Sequence, residues 1–314
     1  MATGKSENIV FGYAVQVDAV TPATGVFTAI KKRDASLTTT TATIESGETS
    51  SGRLADAAAP GRQTHAGTFN FNWRELDADI FMLSAMAGAW VDNAGTDVLE
   101  IASAPTYITI VEFIPWLAVG SQYTVYTGFL VGSMGMTFPQ DGYIQMSVEL
   151  SGGSKAPSAT APWTSLDDTS VKQSIQTCNA NLSIQVATKA ADALVETTSF
   201  LPSIDFNITN SLTELFDVRS CGPVESSLGS AVITGNNNAY LDDTSRLWLV
   251  DSEAGEQAKV RIEWEAETLK YRLDIPHATN TSVKDSGNAD ATGLNMNWGS
   301  VNGSSNPSLQ KEPK

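Results

Sequence analysis

Residues 61–90 read GRQTHAGTFNFNWRELDADIFMLSAMAGAW. Phe69, Phe71 and Trp73 alternate with Thr68, Asn70 and Asn72, a period of two that marks a half-buried strand. Asp77 then sits where a helix N-cap would sit. Leu76, Ile80, Leu83 and Ala87 fall on one helical face, and Gly88 offers a stop. A weaker echo follows at residues 229–256, GSAVITGNNNAYLDDTSRLWLVDSEAGE. It repeats the polar lead-in, a strand over 231–241, an acidic cap at Asp242 and Asp243, and a short apolar helix with Leu247, Trp248 and Val250. One unit used twice is the reading that this echo invites.

Outward from these two stretches the chain is rich in short alternating segments. Residues 1–12 read as an arm with one apolar cluster (Ile9, Val10, Phe11), and 13–20 as a short strand. Residues 36–46 are Thr-rich and β-compatible. A long loop is expected over 47–65 and a second over 210–229. Met134, Met136 and Phe138 alternate up to Pro139-Gln140-Asp141-Gly142, and Ile144, Met146, Val148 and Leu150 alternate back, which predicts a hairpin. Residues 151–165 have a linker's composition. Ile204, Phe206 and Ile208 face one way and Ser203, Asp205, Asn207 and Thr209 the other. Residues 259–265 and 269–275 read as a hairpin pair, 276–291 as loop, and Leu294, Met296 and Trp298 as a last strand. The division expected is an arm and first strand (1–35), a first module (36–152), a linker with a short strand (153–199), a second module (200–300) and a polar, mobile tail (301–314). The fold class is mainly β (α+β), with two related β-sandwich modules, each flanked by a short helix.

Composition removes several functions. The chain has 314 residues, with 35 acidic against 19 basic side chains and a net charge of −16. A basic grip on nucleic acid is excluded by that balance, and the one basic run, Lys31-Lys32-Arg33, reads as a solvated turn or a subunit contact. Two cysteines imply no disulfide framework. No apolar run is long enough to predict a membrane span, and the N-terminus lacks the apolar core of a signal peptide. No phosphate-binding loop, metal-binding His pair or nucleophile elbow occurs. His65 and His277 read as structural, the seven tryptophans as core or interface. No catalytic residue, metal or cofactor is expected.

The run Ser46-Gly-Glu48-Thr-Ser-Ser-Gly-Arg53, then Gly61-Arg62 to Gly67-Thr-Phe-Asn-Phe, and the helix ending Ala87-Gly88-Ala-Trp90 resemble the tail tube (major tail) proteins of long-tailed bacteriophages. Tyr123 to Gly128, Val148-Glu149-Leu150-Ser151-Gly152, Ala161-Pro162-Trp163-Thr164-Ser165 and the segment from Ser203 to Leu212 continue the resemblance, which covers roughly residues 36–300. Residues 166–199 depart from it. The resemblance implies modules that assemble into rings of sixfold or pseudo-sixfold symmetry, whose inner strands form one large β-barrel. Stacked rings would then make a hollow tube through which DNA passes.

On that reading the chain's partners are itself, as a trimeric pseudo-hexameric ring or a hexamer, together with a tape measure protein and tail tip or terminator proteins. Double-stranded DNA passes without specific binding, since a negative lumen repels phosphates. The location is the virion tail, assembled in the host cytoplasm. Glu48, Arg53, Arg62, Glu214 and Arg219 are the expected contacts between subunits or rings. Gln145, Glu149, Asp205 and Asn207 are expected on the lumen or another polar face. The competing expectation is a different virion β-sandwich, a capsid decoration or carbohydrate-binding protein.

Overall fold

A computed structural model describes residues 8–44, 59–167, 172–187, 189, 192–196, 203–219, 222–240, 243–287, 292–301 and 306–314. In the first half the elements are β1 (Val10–Val15), β2 (Gly25–Ala29), β3 (Asp34–Ile44), β4 (Ala59–Asn72), α1 (Asp79–Met86), β5 (Val91–Asn93), β6 (Thr96–Glu100), β7 (Ile108–Phe113), β8 (Tyr123–Pro139), β9 (Gln145–Ser151), β10 (Ser154–Ser158) and β11 (Trp163–Asp167). In the second they are β12 (Ser183–Ala187), β13 (Val195–Glu196), β14 (Ser203–Phe216), β15 (Pro223–Tyr240), α2 (Asp243–Glu253), β16 (Ala258–Glu265), β17 (Leu269–Gly287), β18 (Thr292–Ser300) and β19 (Ser308–Pro313).

The two halves repeat one pairing scheme. A long antiparallel sheet runs β3-β4-β9-β8 and then β14-β15-β18-β17, four strands from each half. An outer layer in the first half runs β2-β1-β7-β8-β10 through residues 123–129 of β8, with β11 added in parallel to β2. The second half has its counterpart, β13-β12-β16-β17-β19 through residues 269–278 of β17, extended by β6 and β5. Thus β8 and β17 each leave one layer and enter the other. The protein is mainly β, built as two related sandwiches, and within one chain the long sheet is open and not closed into a barrel.

Alternation makes the long sheet two-faced. Phe69, Phe71, Met134, Met136, Phe138, Met146, Val148, Ile204, Phe206 and Ile208 are all buried beneath it. The hairpin predicted around Pro139 is present, with Gly142 at a φ of 130°. Helix α1 is lodged between the layers: Phe81 meets Tyr13 of the outer layer (centroids 5.0 Å apart) and Phe71 of the long sheet (5.8 Å). Hence α1 does not bury the single face expected. Phe81, Met82, Ser84, Ala85 and Met86 are buried, Ile80 and Leu83 are half-buried, and Leu76 lies outside the helix with a φ of 64°. Asp77 is not the cap either. Ala78 holds that position with no side-chain cap, and Ala87, not Gly88, is the left-handed residue. Gly88 matters for another reason, because a Cβ there would lie 2.3 Å from the Glu100 carbonyl oxygen. Gly88→Ala is expected to destabilise the fold by about 1–3 kcal/mol, from overpacking against backbone that cannot yield. A urea titration reads this directly; an unchanged midpoint would show that the 88–100 contact is loose.

The halves are fastened by an aromatic group and by a polar clamp. Trp264 stacks on Tyr271 (5.6 Å, 12°), and Trp73 stands edge-on to both (6.0 and 5.1 Å). Beside them, Glu75 accepts from the Thr268 hydroxyl (2.5 Å) and from the backbone N–H groups of Thr268 (2.7 Å) and Leu269 (3.2 Å). Burial pushes the Glu75 carboxyl up, but these hydrogen bonds outweigh it and hold its pKa below the ordinary value. Lys311 of β19 reaches back to Asp79 of α1 at 2.7 Å, to Asp97 at 3.7 Å, and lies 4.3 Å over the Trp90 ring.

Several sequence boundaries need correction. Residues 10–12, expected in an arm, pair with β7. The loop expected over 47–65 gives way to strand from Ala59 onward, paired with β3. The loop expected over 210–229 is mostly a hairpin: β14 runs to Phe216 and β15 starts at Pro223. Residues 276–291, expected as loop, are strand as far as Gly287. The cause is a bulge. Val260 pairs with Ile275 and Ala258 with Ala278, so an extra residue is taken up around Pro276, where no ladder N–H is required. The C-terminal stretch is not a mobile tail over 308–313, since β19 pairs with both β17 and β6.

Candidate assembly surface

The uncovered face of the long sheet is the surface on which the polar side chains converge. Its residues come from alternate positions of each strand: Asn70 and Asn72 on β4, Gln145, Ser147 and Glu149 on β9, Ser133 and Thr137 on β8, Asp205 and Asn207 on β14, Asn236 and Asn238 on β15, Asn297 on β18. Gln145, Glu149, Asp205 and Asn207, the four residues singled out in the sequence, therefore share one face. Gln145 and Glu149 are exposed, Asp205 and Asn207 half-buried. Asparagine was the signal missed. The Asn-x-Asn spacing at 70–72, 236–238 and 295–297 already marks one strand face three times.

These amides and hydroxyls bind one another across the strands and, in one case, along β14. Ser133 Oγ donates to Asn207 Oδ1 (3.0 Å), Asn207 Nδ2 to Thr209 Oγ1 (3.1 Å), Asn236 Nδ2 to Asn297 Oδ1 (2.9 Å) and Asn238 Nδ2 to Ser203 Oγ (2.9 Å). Burial raises the Asp205 carboxyl above its ordinary pKa, and the Asn236 backbone N–H pulls it partly back. None of the residues named on this face is Lys or Arg, and Glu149 and Asp205 add carboxylates, so the face offers no cationic cluster to a phosphate. It contrasts with a nucleic-acid grip, which needs clustered Lys and Arg. Among the described residues no group of three or more His, Cys, Asp or Glu could hold a metal ion.

The expected contact residues lie elsewhere. Glu48 and Arg53 lie outside the described residues. Arg62 is exposed on β4, with its guanidinium 4.6 Å over the Phe216 ring of β14. Glu214 is also on strand β14, where it accepts from Ser151 Oγ at 3.3 Å. Arg219, in the turn after β14, binds Asp217 at 2.5 Å. So Arg62 and Glu214 sit on the adjacent hairpins β3–β4 and β14–β15, and Arg219 at the tip of the second. In the basic run, Lys32 lies 4.4 Å over the Phe11 ring. His65 is buried and shares a hydrogen bond with Thr39 Oγ1 at 3.0 Å, a structural placement. Trp73, Trp248, Trp264 and Trp298 are buried, which does not make the exposed aromatic platform that sugar binding would use. No described helix is long and apolar enough to cross a membrane.

A family model described as phage tail tube protein matches residues 6–300. No curated protein matches the chain.

Proposed function

The chain belongs to the phage tail tube family, and from that premise we propose that it self-assembles into stacked rings forming the hollow conduit through which a phage ejects its DNA. The observation that carries this reading is the eight-strand sheet, open at both ends and polar on its uncovered face, made of two equivalent four-strand halves. The polar face lines the lumen, because the opposite face is the core. Three chains supply six modules, a trimer of pseudo-sixfold symmetry; the alternative is six chains. Strand spacing separates the two. Eight strands at about 4.8 Å occupy about 38 Å of circumference, so three chains close a ring about 37 Å across between backbones, and six chains one about twice as wide.

Strand pairing favours a first module from β1 to β11, except for the β5–β6 hairpin that extends the outer layer of the second, and a second module from β12 to β19. The hairpins β3–β4 and β14–β15, with Arg62, Glu214 and Arg219, carry contacts to the neighbouring subunit or ring, as do Glu48 and Arg53. The role is structural, with no reaction to catalyse. A tape measure protein within the tube and tip or terminator proteins at its ends are the other partners, and the assembled protein resides in the virion tail. Negative-stain electron microscopy of the purified protein, dilute and concentrated, tests this. Stacked annuli with threefold end-on symmetry and a bore near the smaller width are expected. Six equal chains per ring would overturn the trimer, and a monomer at every concentration, even with added tail tips, would overturn the tube.

A further inference from the structure

The long sheet contains its own template for joining one copy to the next. Inside the chain the two halves meet where β8 pairs with β14: Asn207 opposite Gly135, Phe206 opposite Met136, Asp205 opposite Thr137 and Ile204 opposite Phe138. The equivalent of β14 is β3, and the equivalent of β8 is β17. Among the described residues β3 pairs in the long sheet only with β4, and residues 279–287 of β17 only with β18. The edge of β17 left open is the one that β16 covers further back, which on β8 is the edge that β14 takes.

Three sequence likenesses fix how the halves superpose. Asp34-Ala-Ser-Leu-Thr38 matches Asp205-Phe-Asn-Ile-Thr209, Thr68-Phe-Asn-Phe-Asn72 matches Thr234-Gly-Asn-Asn-Asn238, and Gln145-Met-Ser147 matches Asn295-Met-Asn297. The backbone registers agree with all three. Asp34 pairs with Asn70 as Asp205 pairs with Asn236. Phe71 pairs with Met146 as Asn237 pairs with Met296. Through β9 and β18, Thr137 then corresponds to Lys284.

We propose that residues 282–285 of β17 pair antiparallel with residues 33–36, Arg33 and the start of β3, in a second copy of this chain, in the register of the internal β8–β14 junction. The proposal rests on the ring reading and deepens it. The register sets Ser282 opposite Ser36, Val283 opposite Ala35, Lys284 opposite Asp34 and Asp285 opposite Arg33. Both charged pairs are of opposite sign, where the internal junction has Thr137 with Asp205 and Phe138 with Ile204. Opposite charges placed directly across strands attract, and a one-residue slip would lose both pairs and turn the faces over. A chain thus carries one junction made once in folding, with a single charged residue (Asp205) at these positions, and one between copies whose register sets residues of opposite charge against each other. Backbone groups otherwise left open at each sheet end find partners on closure.

Paired cysteines test the register. In a Cys178→Ser, Cys221→Ser background, Ser36→Cys with Ser282→Cys puts two thiols directly opposite, at a Cα separation of about 4.5–5.5 Å that a disulfide can span. Oxidised tubes of that variant are expected to give covalent dimers and trimers on a non-reducing gel. Ser36→Cys with Lys284→Cys, two residues out of step, is expected to stay uncross-linked. The reverse pattern would overturn the register while leaving the tube intact. Charge exchange gives an independent reading: Asp34→Lys or Lys284→Asp alone is expected to abolish tubes, and the two together to restore them. Folded single variants that form normal tubes would overturn the charged pairing. If the unaltered protein forms no rings at all, the ring reading itself fails and the junction with it.

Discussion

Replacing Lys311 by Met is expected to cost about 3–5 kcal/mol at neutral pH, because it removes one partner of a buried ion pair and leaves the other. The Lys311 and Asp79 side chains are each only 14% exposed, and Nζ lies 2.7 Å from Oδ2. Asp79 has one further partner in the clamp, the Tyr271 hydroxyl at 3.2 Å. Burial already raises the Asp79 carboxyl above its ordinary pKa, with the Lys311 hydrogen bond and charge pulling it back. Without the lysine it rises further. A carboxyl with a raised folded pKa favours the fold when protonated, and that advantage is lost as pH rises through the folded value. The deficit of Lys311→Met should therefore be greatest near neutrality and shrink as the medium is acidified toward the ordinary carboxylate range, near pH 4. Urea titrations of both proteins from pH 7 downward check this; a deficit that does not change with pH would mean that Asp79 finds another cation. Asp79→Leu with Lys311→Met should recover most of the loss, since an apolar pair need not be desolvated. The same clamp ties β19 to α1 and to the β5–β6 hairpin, so amide exchange over 308–313 should rise with the single change.

Alternation explains what could be read in advance. Wherever one face of a strand is apolar, as at 69–73, 134–138, 144–150 and 204–208, the sequence announces the strand, its faces and its neighbours. The Asp205 and Asn207 placement followed from that period alone. Boundaries were lost where a strand leaves the core. Residues 38–44 of β3 and most of the β14–β15 hairpin beyond Asn210 are exposed or half-buried on both faces and mix polar with apolar side chains without a period of two, so nothing separates them from loop by pattern. Pro276 looked like a strand end because its missing N–H is tolerated only at a bulge, and bulges leave no period. The helix misled for a different reason. Its apolar residues surround the axis because α1 is enclosed by two layers, and a one-faced pattern is the property of a surface helix. The polar clamp at Glu75 and Asp79 joins residues nearly 200 positions apart (|i−j| of 193 and 192), a proximity no local pattern encodes.

The second large effect is expected where the two halves solve one packing problem in opposite ways. Phe69 on β4 pairs with Val148 on β9, a large side chain beside a small one. At the equivalent positions Gly235 on β15 pairs with Trp298 on β18, the sizes exchanged. The indole covers the glycine so closely that a Cβ on Gly235 would lie 2.0 Å from Trp298 Cζ2. Trp298 is buried, and its Nε1 donates to Asn237 Oδ1 at 3.3 Å. Gly235→Phe alone should then cost about 3 kcal/mol or more, since the ring has nowhere to go while the tryptophan stays. Trp298→Val alone should cost about 3 kcal/mol, for the cavity and the lost apolar contact. Together they copy the first half and should be coupled favourably by about 2–3 kcal/mol. Full recovery is not expected, because Asn237 Oδ1 loses its donor and an unsatisfied buried acceptor costs about 1–3 kcal/mol. Equilibrium unfolding of the two single variants and the double variant measures the coupling. A strictly additive double variant would show that Gly235 and Phe69 are not equivalent. The superposition of β15 on β4, one of the three supports for the register between copies, would then fall.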